Sequence, residues 1–412
     1  MRGVPSPRRG ATRRPLLAVV AVVVGAIVLA GCGSGGDTPQ GLTGEQASGY
    51  ADQQYSAEDG QAATLLAPAP GSFLAGKTTV TSLGSTTPAN GDENPYAIWP
   101  VTQSVGSVAA GDVLVDNFNN RSNNQGTGTT IVDVHPNGQL SVFATLPANL
   151  AGCPGGIGLT SAMVQLRSGW LLVGSLPSTD GKIDTAGAGC LVELSPTGQL
   201  GGVIAAPYLN GPWDAVVADN GGSATLFVAN TLVGLPRTGT GQVNQGSVQR
   251  LTLTEPANAA PAVAANTLIA SGFGERADAS AFVKGPTGLV LTPAGTLYVA
   301  DNLGNRIAAI PNAVSRTDSA GTGTTLTQGG QLAHPLGMVL APNGDLLVAN
   351  ATNGKIVEVT PAGGQVGEYY AIQDVGQDPP GNGDLFDIAV NQAGTGVLFV
   401  KDDTNTLALL HS

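Results

Sequence analysis

Six times along this chain a short apolar run ends on a small or polar side chain and gives way at once to a turn. The runs are GDVLVDN (111–117), GWLLVGS (169–175), ATLFVAN (224–230), GTLYVAD (295–301), GDLLVAN (344–350) and GVLFVKD (396–402), spaced 58, 55, 71, 49 and 52 residues apart. A second apolar run precedes each, joined through a Pro/Asn/Gly turn, as in GLVLTPAG (288–295) and GMVLAPNG (337–344); such turns make tight hairpins. A third follows most of them, as in TTIVDVHPNG (129–138) and KIVEVTPAG (355–363), and often a weaker fourth, as in QLSVFATL (139–146). Four short strands in each of six units predict an all-β six-bladed β-propeller of four-stranded antiparallel blades. The sixth unit runs only to its third strand, TLALL (406–410), and a lone strand, KTTVTSLG (77–84), precedes the first unit. Lending that strand to the last blade closes the ring and removes an exposed edge. An open solenoid would instead need capping repeats, and the sequence shows none.

The N-terminal stretch has to be set apart from the fold. Arg2, Arg8, Arg9, Arg13 and Arg14 precede an apolar run from Leu16 to Ala30 that ends in Leu29-Ala30-Gly31-Cys32. This is similar to the lipobox of bacterial lipoproteins, and Thr12-Arg13-Arg14-Pro15-Leu16-Leu17 resembles a degenerate twin-arginine motif. The resemblance implies a signal peptide over 1–31, a lipid on Cys32 and an extracytoplasmic chain held to the bacterial membrane through that lipid. Residues 32–71 are small, polar and acidic and read as a flexible tether; 72–412 is the propeller. Without the signal the chain keeps 12 basic against 29 acidic residues, about −17. That charge argues against nucleic acid and anionic head groups as partners. It leaves a cation, a sugar or a protein. Cys153 and Cys190 remain as a pair in an oxidising compartment, where a disulfide is expected. A bridge over a loop of this length contributes roughly 3–4 kcal/mol.

The unit in 298–310, YVADNLGNRIAAI, resembles the NHL repeat, with Asp301, Asn305 and Arg306 at the matching positions. The resemblance spans roughly 75–412 and implies a propeller of the NHL and SMP-30/gluconolactonase type. Such propellers include lactonases, lyases, sensor domains and interaction scaffolds, so the fold alone names no activity.

Hairpin geometry brings the start of the first strand and the end of the second strand of every blade to one rim. That rim collects Trp213, Phe118, Asn230, Asn350 and Asp301 as candidate ligand-binding residues. It also carries the three longest loops, 117–128, 175–189 and 230–246, which predict a sided cleft. Glu93, Asp214 and Asp387 enter the same mouth and would suit Ca²⁺ or another divalent cation. SMP-30-type lactonases hold a metal there, and Glu93-Asn94-Pro95 is similar to their Glu-x-Pro. Thr287 and Leu336 stand where those enzymes have Asn. The acids could equally cap turns and satisfy backbone N–H groups. His334 is the one histidine at the rim and the candidate acid–base residue. No Gly-x-Ser-x-Gly, P-loop or HExxH sequence occurs. The expectation is a binding module for a protein or glycan, with a metal-dependent lactonase-like hydrolase as the alternative; the sequence leaves the oligomeric state open.

Overall fold

A computed structural model describes residues 65–236, 241–257, 259–373 and 376–412. The lipid-bearing Cys32 expected above lies outside the described residues, as do the signal segment and the tether up to residue 64. Among the described residues the helical content is one 3₁₀ turn, Ile183–Thr185.

β1 (Thr79–Ser85) precedes blade 1, which comprises β2 (Glu93–Pro100), β3 (Val113–Asn119), β4 (Thr130–Val134) and β5 (Leu140–Thr145). Blade 2 follows as β6 (Leu159–Gln165), β7 (Leu171–Ser175), β8 (Cys190–Leu194) and β9 (Leu200–Ile204). Blade 3 has five strands, β10 (Pro212–Asp219), β11 (Ser223–Asn230), β12 (Val243–Thr254), β13 (Ala262–Asp278) and β14 (Phe282–Lys284). Blade 4 comprises β15 (Pro286–Leu291), β16 (Leu297–Asp301), β17 (Arg306–Ile310) and β18 (Thr324–Gln328). Blade 5 comprises β19 (Pro335–Leu340), β20 (Leu346–Asn350), β21 (Lys355–Val359) and β22 (Gln365–Tyr370). Blade 6 adds β23 (Leu385–Val390), β24 (Val397–Lys401) and β25 (Thr406–His411), and its sheet order is β1-β25-β24-β23.

The borrowed strand is thus in place. β1 pairs antiparallel with β25, Val80 opposite Leu410 and Thr81 opposite Leu409. The six inner strands, β2, β6, β10, β15, β19 and β23, each lie beside the inner strands of the blades before and after, so the ring is closed.

Alternation along the strands feeds two faces of each sheet into two different cores. Leu114 and Ile131 of blade 1 meet Leu171, Val173 and Cys190 of blade 2. Leu191 of blade 2 faces Leu226 and Leu251 of blade 3, and the same arrangement recurs between every adjacent pair around to blades 6 and 1. The second strands of blades 1, 2 and 5 are buried on both faces, which is why VLVDN, LLVGS and LLVAN read as continuous apolar runs. Cys153 and Cys190 form a disulfide, joining the loop before β6 to the start of β8 inside the core between blades 1 and 2.

Two features depart from the expected pattern. Blade 3 extends into a hairpin, β13–β14, whose tip is locked by Asp278. One oxygen of Asp278 accepts the N–H groups of Ser280 and Ala281, each at 3.0 Å, and the carboxylate holds Lys284 at 3.2 Å. The second departure is at the boundary placed at 71/72, which falls inside a segment that runs along blade 5. Ala69 N–H donates to the Val366 carbonyl at 2.8 Å, and Glu368 N–H donates to Leu66 at 3.0 Å. Glu358 then accepts both Phe73 N–H and Leu74 N–H. The segment covers the outer edge of β22, as edge protection requires.

Deleting 79–85 leaves β25 as a bare edge and opens the ring. The expected outcome is a melting temperature lower by about 10 °C or more and concentration-dependent association, read by calorimetry and light scattering. An unchanged melt with a monomeric product contradicts the closure.

Candidate functional site

Each inner strand slips register against its second strand near its start. Pro95 lies opposite Asn117 but Ile98 lies opposite Val115, so the inner strand holds one extra residue. The same single excess recurs in blades 3, 4, 5 and 6, and blade 2 holds two. Such a bulge re-aims side chains and releases backbone groups from the ladder. Here it turns one residue per blade into the lumen: Tyr96, Ser161, Trp213, Thr287, Leu336 and Phe386 line the mouth. The cavity they leave is about 10 Å³, the room of one water at most.

Aromatic rings fill the rest. Tyr96 stacks on Phe386 with centroids 4.3 Å apart and on Phe118 at 4.7 Å, and meets Trp213 edge-on at 5.7 Å. Phe118 in turn contacts Trp213 at 5.9 Å and Phe282 at 5.7 Å, both edge-on. Such pairs contribute about 0.5–1.5 kcal/mol each beyond their buried area. Phe282 comes from the β13–β14 hairpin, with a left-handed backbone at φ 64°. Leu176, Leu232 and Leu235 from the long loops close over the rings and form a seventh apolar core.

Polar contacts tie the loops to one another. Ser178 Oγ donates to Gln125 O at 2.6 Å, and Gln125 Nε2 reaches Ser280 O at 2.9 Å, joining the blade 1 loop to the blade 3 hairpin. The expected sided cleft is therefore a closed cap. Phe118 and Trp213 lie beneath it, 0% and 4% exposed, rather than on an open stacking platform.

The bulges free N–H groups that need acceptors, and the channel acids supply them. Asp387 Oδ2 accepts Ile98 N–H of blade 1 at 3.0 Å and its Oδ1 accepts Ile388 N–H at 2.8 Å. Asp214 Oδ2 accepts Leu289 N–H of blade 4 at 2.7 Å and its Oδ1 accepts Ala215 N–H at 2.8 Å. These two acids, three blades apart, fasten blade 6 to blade 1 and blade 3 to blade 4. Gly337 lets the chain come this close, since a methyl there would stand 2.6 Å from Asp387 Oδ1. Asp116, fully buried, accepts Ala97 N–H at 2.9 Å, while its Oδ2 has no partner among the described residues.

Burial pushes the Asp387 carboxyl up to about 7. Burial and then the Asp387 charge hold Asp214 well above the carboxylate range, and burial raises Asp116 likewise. Both Asp214 and Asp387 keep some surface toward the lumen, yet protein encloses their carboxylates.

Glu93, Asp214 and Asp387 do not gather ligand atoms within 4.8 Å of one another. Glu93 stands at the rim, where burial raises its carboxyl and the Asn123 backbone donates to it. The oxygens of Asp214 and Asp387 are taken by amides. Among the described residues, three His, Cys, Asp or Glu ligand atoms come within 4.8 Å of one another at one place, Asp112, Asp133 and His135, away from this mouth.

The remaining rim residues hold turns. Asn230 Oδ1 accepts Asn210 N–H at 2.9 Å, and Asn350 Oδ1 accepts Ala333 N–H at 3.0 Å; Ser175 does the same for Gly158 at 3.0 Å. One role recurs: the last residue of the second strand anchors the loop entering the first. Asp301 pairs with Arg306 Nε at 2.8 Å and accepts Gly304 N–H at 3.1 Å within its own blade. His334 has a left-handed backbone, φ 54°, and its Nδ1 lies 3.0 Å from the Asn302 carbonyl, so Nδ1 carries the proton. It does not line the mouth.

Sequence reasoning missed the bulges, and with them Tyr96 and Phe282. A signal for the bulges was present: proline opens three of the six inner strands, at 212, 286 and 335, and stands third in β2, at 95, and proline cannot donate to a ladder.

No protein-family profile matches this chain, and no curated protein does. Solved structures of SMP-30/gluconolactonase-like propellers share its course. A gluconolactonase from Xanthomonas campestris is 14% identical with a TM-score of 0.48, over 81% of this chain and 89% of that one. A calcium-binding regucalcin from Agrobacterium tumefaciens C58 is 14% identical with a TM-score of 0.49, over 81% and 93%. A virginiamycin B lyase from Staphylococcus aureus is 12% identical with a TM-score of 0.45, over 81% and 99%. Identity this low transfers no chemistry.

Because Asp387, Glu193 (about 7) and Asp345 (about 6) are all raised in the folded chain, the folded state binds more protons than the unfolded one between pH 4 and 7. Stability therefore falls as pH rises through that window. Thermal melts at pH 5 and pH 8 should show the lower midpoint at pH 8. Asp387→Asn should flatten the slope, costing about 1–3 kcal/mol at pH 5 and less at pH 8. A midpoint that rises toward pH 8 contradicts this assignment.

Proposed function

We propose that this chain is a lipid-anchored extracytoplasmic binding module that recognises a protein or glycan on the outer surface of the loop cap. The observation carrying this reading is the filled mouth: five packed rings and the loop leucines leave a cavity of about 10 Å³ among the lumen residues. A metal-dependent lactonase or ester hydrolase needs carboxylate oxygens free for a cation. Those of Asp214 and Asp387 are occupied instead.

The cap itself is built as a recognition surface. Its blade 1 loop, 119–125, reads NNRSNNQ, dense in amide donors and acceptors. Asn120 Oδ1 accepts Ser122 N–H at 2.9 Å, and Thr127 Oγ1 donates to Asn124 O at 2.5 Å, so the loop holds its shape before any ligand arrives. Pre-ordering of that kind lowers the entropic cost of association. Arg121, Ser122 and Asn123 remain exposed, as do Asp180, Lys182 and Asp184 from the blade 2 loop. On this reading Cys32 carries the lipid and the acidic stretch after it links the lipid to the ring.

The test places a photoreactive residue at Ser122 on the cap or at Asn137 on the far face of the full chain in cells. Adducts at 122 that are absent at 137, together with no calcium-dependent turnover of lactone or aryl-ester substrates by the purified chain, are expected. Turnover that needs Ca²⁺ and is lost in Asp387→Asn would move the assignment to the hydrolase.

A further inference from the structure

On the face opposite the cap, three side chains of blade 1 converge from two turns. Asp112 immediately precedes β3, Asp133 lies in β4, and His135 opens the turn after it. His135 Nδ1 stands 3.0 Å from Asp112 Oδ1 and 3.8 Å from Asp133 Oδ2. One ligand atom from each lies within 4.8 Å of the other two. Asp112 is fixed in place, since its second oxygen accepts Ala109 N–H at 2.7 Å.

Asp133 is the anomaly. Its side chain is 3% exposed with Oδ2 turned toward the imidazole, the side chain it bonds with is another acid, Asp112, and Oδ1 is fully enclosed without a partner. A carboxylate stripped of water and of donors is costly, which calls for a positive charge at that spot. The imidazole alone, 3.8 Å away and already bonded to Asp112, meets little of the demand. His135 keeps about a third of its side-chain surface exposed (32%), so the cluster is open on one side.

We propose that Asp112, Asp133 and His135 bind a divalent transition-metal cation of the zinc class, with water on the open side. The ligand set is one imidazole nitrogen and two carboxylate oxygens, which suits a borderline cation. Ca²⁺ prefers six to eight oxygens and is a poorer match. Bonds of about 2.1 Å at tetrahedral angles put ligand atoms about 3.4 Å apart. The observed 3.0 and 3.8 Å separations bracket that edge, and the ion takes the place of the Nδ1 proton, which is released to solvent on binding. The bound ion ties the turn before β3 to the turn after β4 and neutralises the buried Asp133 carboxylate. This place is remote from the capped mouth and does not depend on what the cap recognises.

The experiment uses the untagged full chain in detergent, stripped with chelator, and titrates it at pH 7.5. Zn²⁺ binding is followed by calorimetry and Co²⁺ binding by visible absorption. One Zn²⁺ per chain and Co²⁺ ligand-field bands are expected, with a raised melting temperature on Zn²⁺ addition. His135→Gln and Asp133→Asn should weaken Zn²⁺ at least about 10-fold, while His411→Ala, at an exposed histidine elsewhere, should not. Metal-free melts are run on every variant; if Asp133→Asn fails to fold, the His135→Gln variant at the open side decides. Absence of Zn²⁺ binding to the parent chain, or binding that survives His135→Gln, overturns the site.

Discussion

Closing a ring fixes the geometry of everything inside it. The pairing of β1 with β25 turns six sheets into a cycle, and the inner strands are then held edge to edge around a narrow lumen. A lumen so confined can be filled by side chains of one small layer, and six bulges supply that layer, one residue from each blade. The bulges leave backbone N–H groups without ladder partners, and buried N–H groups must find acceptors. Asp214 and Asp387 meet that need by reaching into the next blade. Closure, bulge and carboxylate are thus one construction. Each acid is costly to bury and is retained where it joins two blades.

The same construction accounts for how the mouth is filled in this chain. Acids engaged by amides and raised toward neutrality are poor ligands for a hard cation. Rings packed at 4.3 to 5.9 Å leave no lumen above them. The extra hairpin of blade 3 brings Phe282 to complete that packing, and Asp278 fastens its tip. Burial would raise the Asp278 carboxyl, but Lys284 and the hairpin donors outweigh it and hold it down to about 2. On the reading proposed above, recognition falls to the polar surface of the cap and metal binding to the other face.

Much of this was legible in the sequence because apolar periodicity reports burial directly. VLVDN, LLVGS and LLVAN are buried on both faces and announce themselves as second strands; the lone 77–84 run and the truncated sixth unit announce the closure. Cys153 and Cys190 were the remaining cysteines for an oxidised pair. The site was less legible for two reasons. A bulge is a difference in register between two strands, and no single run displays it. A loop's length likewise does not tell whether it stands clear as a wall or folds down as a lid. Leu176, Leu232 and Leu235, apolar residues inside loops expected to be polar, carried that information. Phe118 and Trp213 are distinctive on a rim only if the rim is open, and here they are core.

The account stands on the carboxylates acting as acceptors for the bulge amides, and hydrogen exchange reads those amides one by one. At pH 6 the N–H groups of Ile98 and Leu289 should exchange as slowly as amides in the centres of β3 and β16, because they open only when the ring opens. If they exchange like loop amides while those strands stay protected, the acids are not holding them, and the sealed-mouth reading fails.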